Sequence, residues 1–308
     1  MKEEAVLFGA SRSLVGVITT PAGAARAADH PAAILLNSGL VHRVGPNRIY
    51  VKLARQLAAA GMTVLRFDYS GVGDSPARSD GGLLDECRVE ETLAATQLLS
   101  ARQGIQRFVL MGICSGAVNS FNAIRQDPRI IGAALINPLG YSSEFATSAQ
   151  ALQANHLART YWKTGLLNPK SWLRVIGGRA NYGMLTAHLK NLAIRHSKAA
   201  AAGSSVAREY QQIIAGGAEL LVVYSGQDRR WEQRHRMVFG DFNPNRAEAN
   251  GLVIKVLEDA NHTFTSIRCQ QELIQLIQDW VRQRVWGEVA VPVDAKPGPA
   301  LDLVGRQD

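Results

Sequence analysis

Cysteine is scarce in this sequence. The 308 residues include only three cysteines, Cys87, Cys114 and Cys269, and no two of them form a CxxC pair. Thiols this few and this scattered argue against a disulfide framework and give no zinc-binding pattern. Because free thiols persist in reducing compartments, we expect the protein to be cytoplasmic.

Long apolar runs are also missing. No stretch approaches the roughly 18 apolar residues that a membrane-spanning helix needs. The first residues, MKEEAVLFGASRSL, place two acids after the lysine and interrupt their apolar stretches with Gly9, Ser11 and Arg12. They therefore make a poor signal peptide, and we expect neither a secretory leader nor a transmembrane segment.

Motifs for cofactors and metals are missing as well. No strand is followed by GxGxxG or GxxxxGK, the glycine-rich patterns that hold phosphate groups. Four histidines show no spacing typical of metal ligands: His156, His188, His196 and His235. We expect the protein to need no cofactor and no metal.

Acidic residues are scarce in one region only. Between residues 151 and 217, nine Lys or Arg accompany a single acid, Glu209, and this local excess equals the net charge of +8 of the whole chain. The rest of the chain is near neutral, so we expect no nucleic-acid partner. The excess suggests an anionic substrate, a small-molecule or carrier-bound acyl group, with a solvated basic face as the alternative.

Apolar runs alternate with helical patterns along most of the chain. Buried strands are predicted at Ala32–Asn37, Met62–Phe67, the residues before Cys114, Ile130–Asn137, Glu219–Ser225 and Leu252–Leu257. Helices are predicted at Ile49–Ala60, Asp85–Gln103, from Cys114 to about Arg125, and at Glu232–Phe239 and Ser266–Trp286. A hairpin of Ala5–Phe8 and Leu14–Thr19 precedes them. This rhythm predicts an α/β protein with a mostly parallel central sheet flanked by helices.

The rhythm stops between Pro138 and Gly217. This stretch has helical character, several aromatic residues and glycine breaks, and it is too long for an ordinary connection. We predict an α/β core at residues 1–137 and 218–287, a basic helical cap at 138–217, and a disordered tail at 288–308.

One segment matches the nucleophile-elbow pattern GxNuxG. Gly112 and Gly116 flank Cys114 at the required spacing, directly after a predicted strand. The pattern needs glycine because a side chain at either place would collide with the neighbouring backbone. A serine nucleophile at Ser115 would need glycines where Ile113 and Ala117 stand, so Cys114 is the candidate nucleophile, and the following helix N-terminus would favour its thiolate.

An acid and a histidine follow in the chain order that the elbow requires. Asp228 comes after one predicted strand and His262 after the next, which predicts a Cys114, Asp228, His262 triad at the carboxyl ends of the strands. Glu258 and Asp259 are rivals for the acid, and ordinary surface or loop roles are the alternatives for all three.

The remaining candidates surround this triad. The backbone N–H groups of Ser115 and Leu40 would form an oxyanion hole. His42 and Arg43, beside that loop, would either bind an anionic group of the substrate or be solvated. Trp162 in the predicted cap is a candidate for substrate contact, with cap packing as the alternative.

These motifs together resemble the α/β-hydrolase superfamily over residues 5 to 286, the cap excepted. NSGLVHRVGPNR, RFDYSGVGDS, GICSGA and DANHTF resemble a bacterial group often named exosortase A system-associated hydrolases, found near exopolysaccharide loci. The resemblance implies an α/β-hydrolase fold with the triad on Cys114, Asp228 and His262. The chain departs from the usual pattern by having cysteine in place of serine, and Ser38-Gly39 in place of His-Gly.

Three functions remain open at this point. The first is a hydrolase that cleaves a carboxylic ester or thioester through a thioacyl-enzyme. The second is an acyltransferase that uses the same triad, because amines, thiols and activated alcohols readily attack a thioacyl-enzyme. The third is a non-catalytic anion-binding protein on the same fold.

Overall fold

The computed structural model describes residues 1–22, 30–78, 84–138, 206–228, 230–239, 248–249 and 251–287. Its centre is one sheet of nine strands, in the order β1-β2-β4-β3-β5-β6-β7-β9-β8. The strands are β1 Lys2–Phe8, β2 Leu14–Thr20, β3 Ala32–Leu36, β4 Val64–Asp68, β5 Phe108–Ile113, β6 Ile130–Ile136, β7 Glu219–Ser225, β8 Glu248–Ala249 and β9 Leu252–Leu257.

Six neighbouring strands, from β4 to β9 across the sheet, run parallel, and the antiparallel strands lie at its two sides. One row of paired residues joins Ile34, Leu110, Ala133, Leu220 and Leu252 across β3, β5, β6, β7 and β9. The first four of these are completely buried, as expected for strands covered on both faces. The prediction of a mostly parallel central sheet is confirmed.

Helices cover both faces of the sheet. They are α1 Ile49–Ala59, α2 Leu84–Gln103, α3 Ser115–Ile124, α4 206–215, α5 Trp231–Phe239 and α6 Ile267–Trp280. Helices α2, α3 and α4 contribute buried residues to one hydrophobic core, and α1 and α6 contribute to the other. Each core therefore lies between the sheet and one helix layer, and in sheets of this kind sites form beyond the carboxyl ends of the parallel strands.

The observed bounds differ from the predicted ones mainly at element ends. β1 begins at Lys2 instead of Ala5, because its first three residues are exposed or half-buried in an edge strand and so form no apolar run. The last predicted helix divides into α6 and a π-helical turn, Val281–Val285. The short β8 falls in a stretch predicted as a polar loop.

Helix α4 belongs to the end of the predicted cap. Its residues Val206, Tyr210 and Ile213 are buried in the core that also contains Phe121 of α3, so this helix packs on the sheet like the other core helices. The rest of the predicted cap, 139–205, and the predicted tail, 288–308, lie outside the described residues.

Within the described ranges, no helix is both long and apolar enough to cross a membrane. The same ranges hold no group of three or more His, Cys, Asp or Glu side chains placed to bind a metal ion.

Candidate active site

Cys114 occupies a sharp turn between β5 and α3. Its backbone has φ 61° and ψ −117°, a conformation that is strained for a residue with a side chain. A Cβ at Gly112 would lie 2.2 Å from the carbonyl carbon of Gly116, and a Cβ at Gly116 would lie 2.6 Å from the carbonyl oxygen of Leu36. Both glycines are thus required by close backbone contact, as the elbow pattern predicts.

The Cys114 thiol is partly buried, and burial raises its pKa. The backbone N–H of Ser115 and the positive charge of Arg234 lower the pKa, the charge of Asp228 raises it, and the net shift is upward. The sequence led us to expect that the helix N-terminus would favour the thiolate. Loss of water around the sulfur outweighs that contribution in this structure.

Asp228 and His262 meet at the carboxyl edge of the sheet, beyond the ends of β7 and β9. His262 Nδ1 lies 3.2 Å from Asp228 Oδ2. Burial tends to raise the pKa of the Asp228 carboxyl, but hydrogen bonds from Arg234, the Arg230 N–H and His262 hold it below its ordinary value. Asp228 therefore stays ionised and can orient the imidazole ring.

The two rival acids make other contacts. Asp259 forms an ion pair with Arg268 at 2.7 Å, and both side chains are largely exposed. Glu258 is exposed, and its side chain lies beside Gly226. Among the described residues, Asp228 is the carboxylate that contacts His262.

The described residues show no hydrogen bond between the Cys114 thiol and the His262 ring. Such contacts are often long in the absence of substrate and shorten when substrate binds. The structure thus joins the acid to the histidine directly and places the cysteine on a separate turn at the same edge of the sheet.

Buried amide and hydroxyl groups hold the His262 loop in place. Asn137 donates from Nδ2 to Ser225 Oγ at 2.7 Å and to the His262 carbonyl at 3.1 Å, and its Oδ1 accepts the Ser225 N–H. Ser225 Oγ donates in turn to the Asn261 carbonyl. Both Asn137 and Ser225 are fully buried, so the ends of β6 and β7 determine where the histidine backbone lies.

The predicted oxyanion residues lie on two sides of the elbow. Ser115 is the first residue of α3, and its Oγ accepts the Gly39 N–H at 2.7 Å. The N–H of Leu40 has no acceptor within the described ranges, and its side chain is 85% exposed. The link from Ser115 to Gly39 therefore holds the loop after β3 against the helix N-terminus.

A buried carboxylate, Asp68, organises that same loop. Asp68 is fully buried at the end of β4 and accepts hydrogen bonds from Asn37 Nδ2, from the Arg43 N–H and, in a very short contact, from the Arg43 guanidinium. Arg43 also pairs with Asp74 at 2.7 Å. These contacts give Arg43 a role in holding the loop, whereas its predicted role in substrate binding remains a prediction.

Two predicted residues and two that sequence reasoning missed remain to be placed. His42 is exposed beside Gly73, and Trp162 lies outside the described residues. Our sequence reasoning missed Asp68, although a carboxylate that ends an apolar strand is a usable signal. It also missed Arg234, which only the fold brings back to Asp228.

Comparisons with known proteins identify the family and the fold. Residues 28–264 match the model of a family described as serine aminopeptidase, S33. No curated protein matches the sequence.

Solved structures share the fold at low identity. A proline iminopeptidase from Mycobacterium smegmatis is 17% identical with a TM-score of 0.55, and the match covers 93% of this chain and 99% of that one. An alpha-beta serine hydrolase homologue from Coxiella burnetii is 17% identical with a TM-score of 0.54, over 90% and 96% of the two chains. An esterase from Pyrococcus furiosus is 13% identical with a TM-score of 0.52, over 92% and 91%.

The family match covers most of the chain, and the neighbouring structures have the predicted architecture. The protein is thus an enzyme of the hydrolase type with an α/β-hydrolase fold, and it belongs to the serine aminopeptidase S33 family of α/β hydrolases.

Proposed function

We propose that the protein hydrolyses a carboxylic ester or thioester through a thioacyl-enzyme on Cys114, with His262 as general base and acid and Asp228 as its orienting partner. One observation supports this above the others. Cys114 has the strained elbow conformation between two glycines that cannot carry a Cβ, and a bonded acid–histidine pair ends the strands that follow.

The proposed reaction has two halves. In the first, His262 takes the proton of the Cys114 thiol, the sulfur attacks the carbonyl carbon, and the C–S bond forms. His262 then gives the proton to the departing alcohol or thiol as its bond to carbon breaks. In the second half, His262 takes a proton from water and the hydroxide attacks the thioacyl carbon. As the C–S bond breaks and releases the acid, His262 returns the proton to the sulfur and the thiol is restored.

Charge on the carbonyl oxygen would develop between two backbone donors. The Ser115 N–H lies at the start of α3, where the helix dipole favours negative charge. The Leu40 N–H lies in the loop that Ser115 Oγ and Asp68 hold in place. Donors fixed in advance stabilise an oxyanion because they need no reorganisation during the reaction.

Cysteine in the nucleophile position is the feature that departs from a serine hydrolase. A thioacyl-enzyme is open to attack by amines and thiols as well as by water, so acyl transfer to a sugar, amine or lipid is the second candidate. Several finer expectations remain proposals: an anionic acyl substrate, a cap within residues 138–217, a cytoplasmic location, and membership of the exopolysaccharide-locus group.

The experiment that tests the proposal is intact-mass measurement after brief exposure to a panel of acyl donors. The panel contains acyl p-nitrophenyl esters, acyl thioesters and an aminoacyl p-nitroanilide. We expect an acyl adduct, or turnover, in the parent protein and in the control Cys87→Ala, and neither in Cys114→Ala. Cys87 is a suitable control because it is a buried thiol on α2 and not on the turn between β5 and α3.

The outcomes separate the candidate functions. Acid release without an acceptor supports hydrolysis, whereas faster loss of the adduct with an added amine or sugar supports transfer. Equal behaviour of the parent and Cys114→Ala with every donor would overturn the proposal and favour a binding protein.

A further inference from the structure

Arg234 contacts the Asp228 carboxylate at the same oxygen as His262. Its Nη2 lies 2.5 Å from Asp228 Oδ2, and the side chains of Arg234 and Asp228 are only 15% and 16% exposed. His262 Nδ1 lies farther from that oxygen, at 3.2 Å. In this structure, the arginine therefore makes the closer contact with the group that should orient the histidine.

The charge of Arg234 also acts on Cys114. It stabilises the thiolate, whereas the charge of Asp228 opposes it. Arg234 Nε is buried and has no acceptor within the described residues. A buried donor without an acceptor is costly, so this N–H, which the described residues leave without an acceptor, would gain from contact with a negative charge.

Charged groups lie on the three segments that hold Asp228, His262 and Arg234. Asp228 and Arg230 lie in the loop after β7, Glu258 and His262 lie in the loop after β9, and Arg234 projects from α5. Arg230 and Glu258 are exposed and so are screened by solvent. Arg234 is thus the partly buried cation that contacts Asp228.

A thiol nucleophile and a hydroxyl nucleophile need different electrostatic support from their surroundings. A serine hydroxyl is a very weak acid, so it needs a histidine whose positive form is strongly stabilised by a carboxylate. A cysteine thiol loses its proton more readily and gains more from direct stabilisation of the thiolate. A cation that takes part of the carboxylate and whose charge acts on the nucleophile hinders the first arrangement and helps the second.

We propose that Arg234 is a positioning residue that adapts the Asp228–His262 pair to a cysteine nucleophile. By pairing with Asp228 Oδ2 it reduces the support that the carboxylate gives to His262, and it supplies positive charge for the Cys114 thiolate. The inference rests on the proposed function, because it takes Cys114 as the nucleophile. It adds that the charges around the nucleophile favour a cysteine thiolate and disfavour a serine hydroxyl.

A purely structural role makes a different prediction. If Arg234 only fastens α5 to the β7 loop, then its removal should loosen the site and harm a cysteine and a serine enzyme alike. The proposal requires opposite effects in the two.

The experiment uses Arg234→Met, Cys114→Ser and the double variant in the full-length chain, with Arg234→Lys as the charge-conserving change. The first readout is the rate of Cys114 alkylation by iodoacetamide against pH, followed by peptide mass, which needs no substrate. In Arg234→Met we expect this rate at neutral pH to fall roughly threefold to tenfold, and the profile to move to higher pH. Arg234→Lys should retain most of the reactivity.

The second readout is p-nitrophenyl acetate hydrolysis. We expect Arg234→Met to slow the enzyme that keeps Cys114 and to accelerate the enzyme that carries Cys114→Ser. Arg236→Met is the matched control, because Arg236 is an exposed arginine on the same helix, and it should change neither readout. If Arg234→Met fails to fold, Arg234→Gln replaces it, with thermal melting as the check.

Two results would overturn the inference: unchanged alkylation of Cys114 in Arg234→Met, or equal losses of hydrolysis in the cysteine enzyme and in the Cys114→Ser enzyme. The alkylation readout keeps this failure separate from that of the proposed function. If no acyl donor labels Cys114, the proposed hydrolase is wrong, yet alkylation still reports how Arg234 acts on the thiol.

Discussion

At the scale of single residues, the turn at Cys114 depends on two positions where a hydrogen atom is the largest side chain that fits. Gly116 sits against the carbonyl oxygens of Leu36 and Asn37, at 2.6 and 2.8 Å from where a Cβ would stand. These oxygens belong to the backbone at the end of β3 and cannot move aside without shifting that strand. The strained backbone conformation of Cys114 persists because the close contacts of its flanking glycines fix the backbone on both sides.

Gly116→Ala should therefore destabilise the protein by roughly 1–3 kcal/mol or more and abolish labelling of Cys114, because β3 must shift to make room. Thermal melting and intact-mass labelling measure the two effects. Gly216→Ala is the matched control, since its nearest atom is the Ile213 carbonyl oxygen at 3.3 Å, and it should change stability by less than about 0.5 kcal/mol. Equal melting of the two variants would contradict the steric account.

Asp68 shows how a buried charge can organise a loop. Its carboxylate is completely buried and accepts hydrogen bonds from Asn37, Arg43 and the Asp74 N–H. Such a group costs free energy unless it is fully bonded, and here each bond goes to the loops beside the candidate oxyanion hole.

We expect Asp68→Ala to reduce stability by roughly 1–3 kcal/mol, because it leaves Arg43 without its buried partner, and to reduce kcat more than KM. Denaturant unfolding and steady-state kinetics measure these losses. Asp74→Ala removes the other partner of Arg43. The Asp74 side chain is 66% exposed, so this change should reduce stability by about 0–1 kcal/mol. A larger effect from Asp74 than from Asp68 would show that the buried contact does not organise the loop.

At the scale of elements, the loops at the carboxyl edge are joined by asparagine side chains. Asn37 hydrogen-bonds the loop after β3 to Asp68 and to the Tyr69 N–H. Asn47 hydrogen-bonds that same loop to the Thr263 carbonyl. Asn137 hydrogen-bonds the end of β6 to β7 and to the His262 carbonyl. Each amide joins segments that are distant in the chain, so the site loops act as one unit supported by the sheet.

Asn137→Ala should misplace His262, because it removes the bonds to Ser225 and to the His262 carbonyl together. We expect kcat to fall at least roughly tenfold and stability to fall by roughly 1–3 kcal/mol. Asn47→Ala removes one exposed bond, to the Thr263 carbonyl, and should have the smaller effect in both measurements. A loss of stability with unchanged kcat would mean that Asn137 supports the fold and not the histidine.

The positions of the strands were largely predictable from the sequence, whereas the hydrogen bonds that join them were not. The apolar runs of β3, β5, β6, β7 and β9 follow directly from burial on both faces, so the sequence places these strands within a residue or two. The hydrogen bonds from Asn137 to β7 and His262 span 88 and 125 residues. No local pattern predicts a contact of that separation.

At the scale of the whole molecule, several carboxylates are ionised more readily in the folded protein than in an unfolded chain. Hydrogen bonds from Arg129 lower the pKa of Asp127 despite its burial, and those from Arg55 lower the pKa of Glu3. A carboxyl with a lowered pKa binds fewer protons when folded than when unfolded. Its stabilising contribution is therefore complete above the unfolded pKa and is lost as the pH falls through the folded one.

We expect unfolding free energy to fall from about pH 4 downward, and the fall to be shallower in Asp127→Asn, which has no carboxylate to protonate there. Urea unfolding at a series of pH values measures this slope. Asp259→Asn is the control, because the Asp259 side chain is 64% exposed in its pair with Arg268 and a solvent-screened pair contributes little to stability. A parent-like slope in Asp127→Asn would contradict the assignment.

The sequence by itself determined the class of the molecule and the position of the glycine-flanked turn at Cys114. Alternating apolar runs and helical patterns specify the parallel sheet, and the spacing of Gly112, Cys114 and Gly116 specifies the elbow, because both depend on neighbours in the chain. Only the tertiary structure decided which charges meet. It paired Asp228 with both Arg234 and His262, took Arg43 into a bond with Asp68, and buried the thiol enough to raise its pKa. These outcomes depend on distance, burial and competition between charges in space, which the order of residues along the chain does not contain.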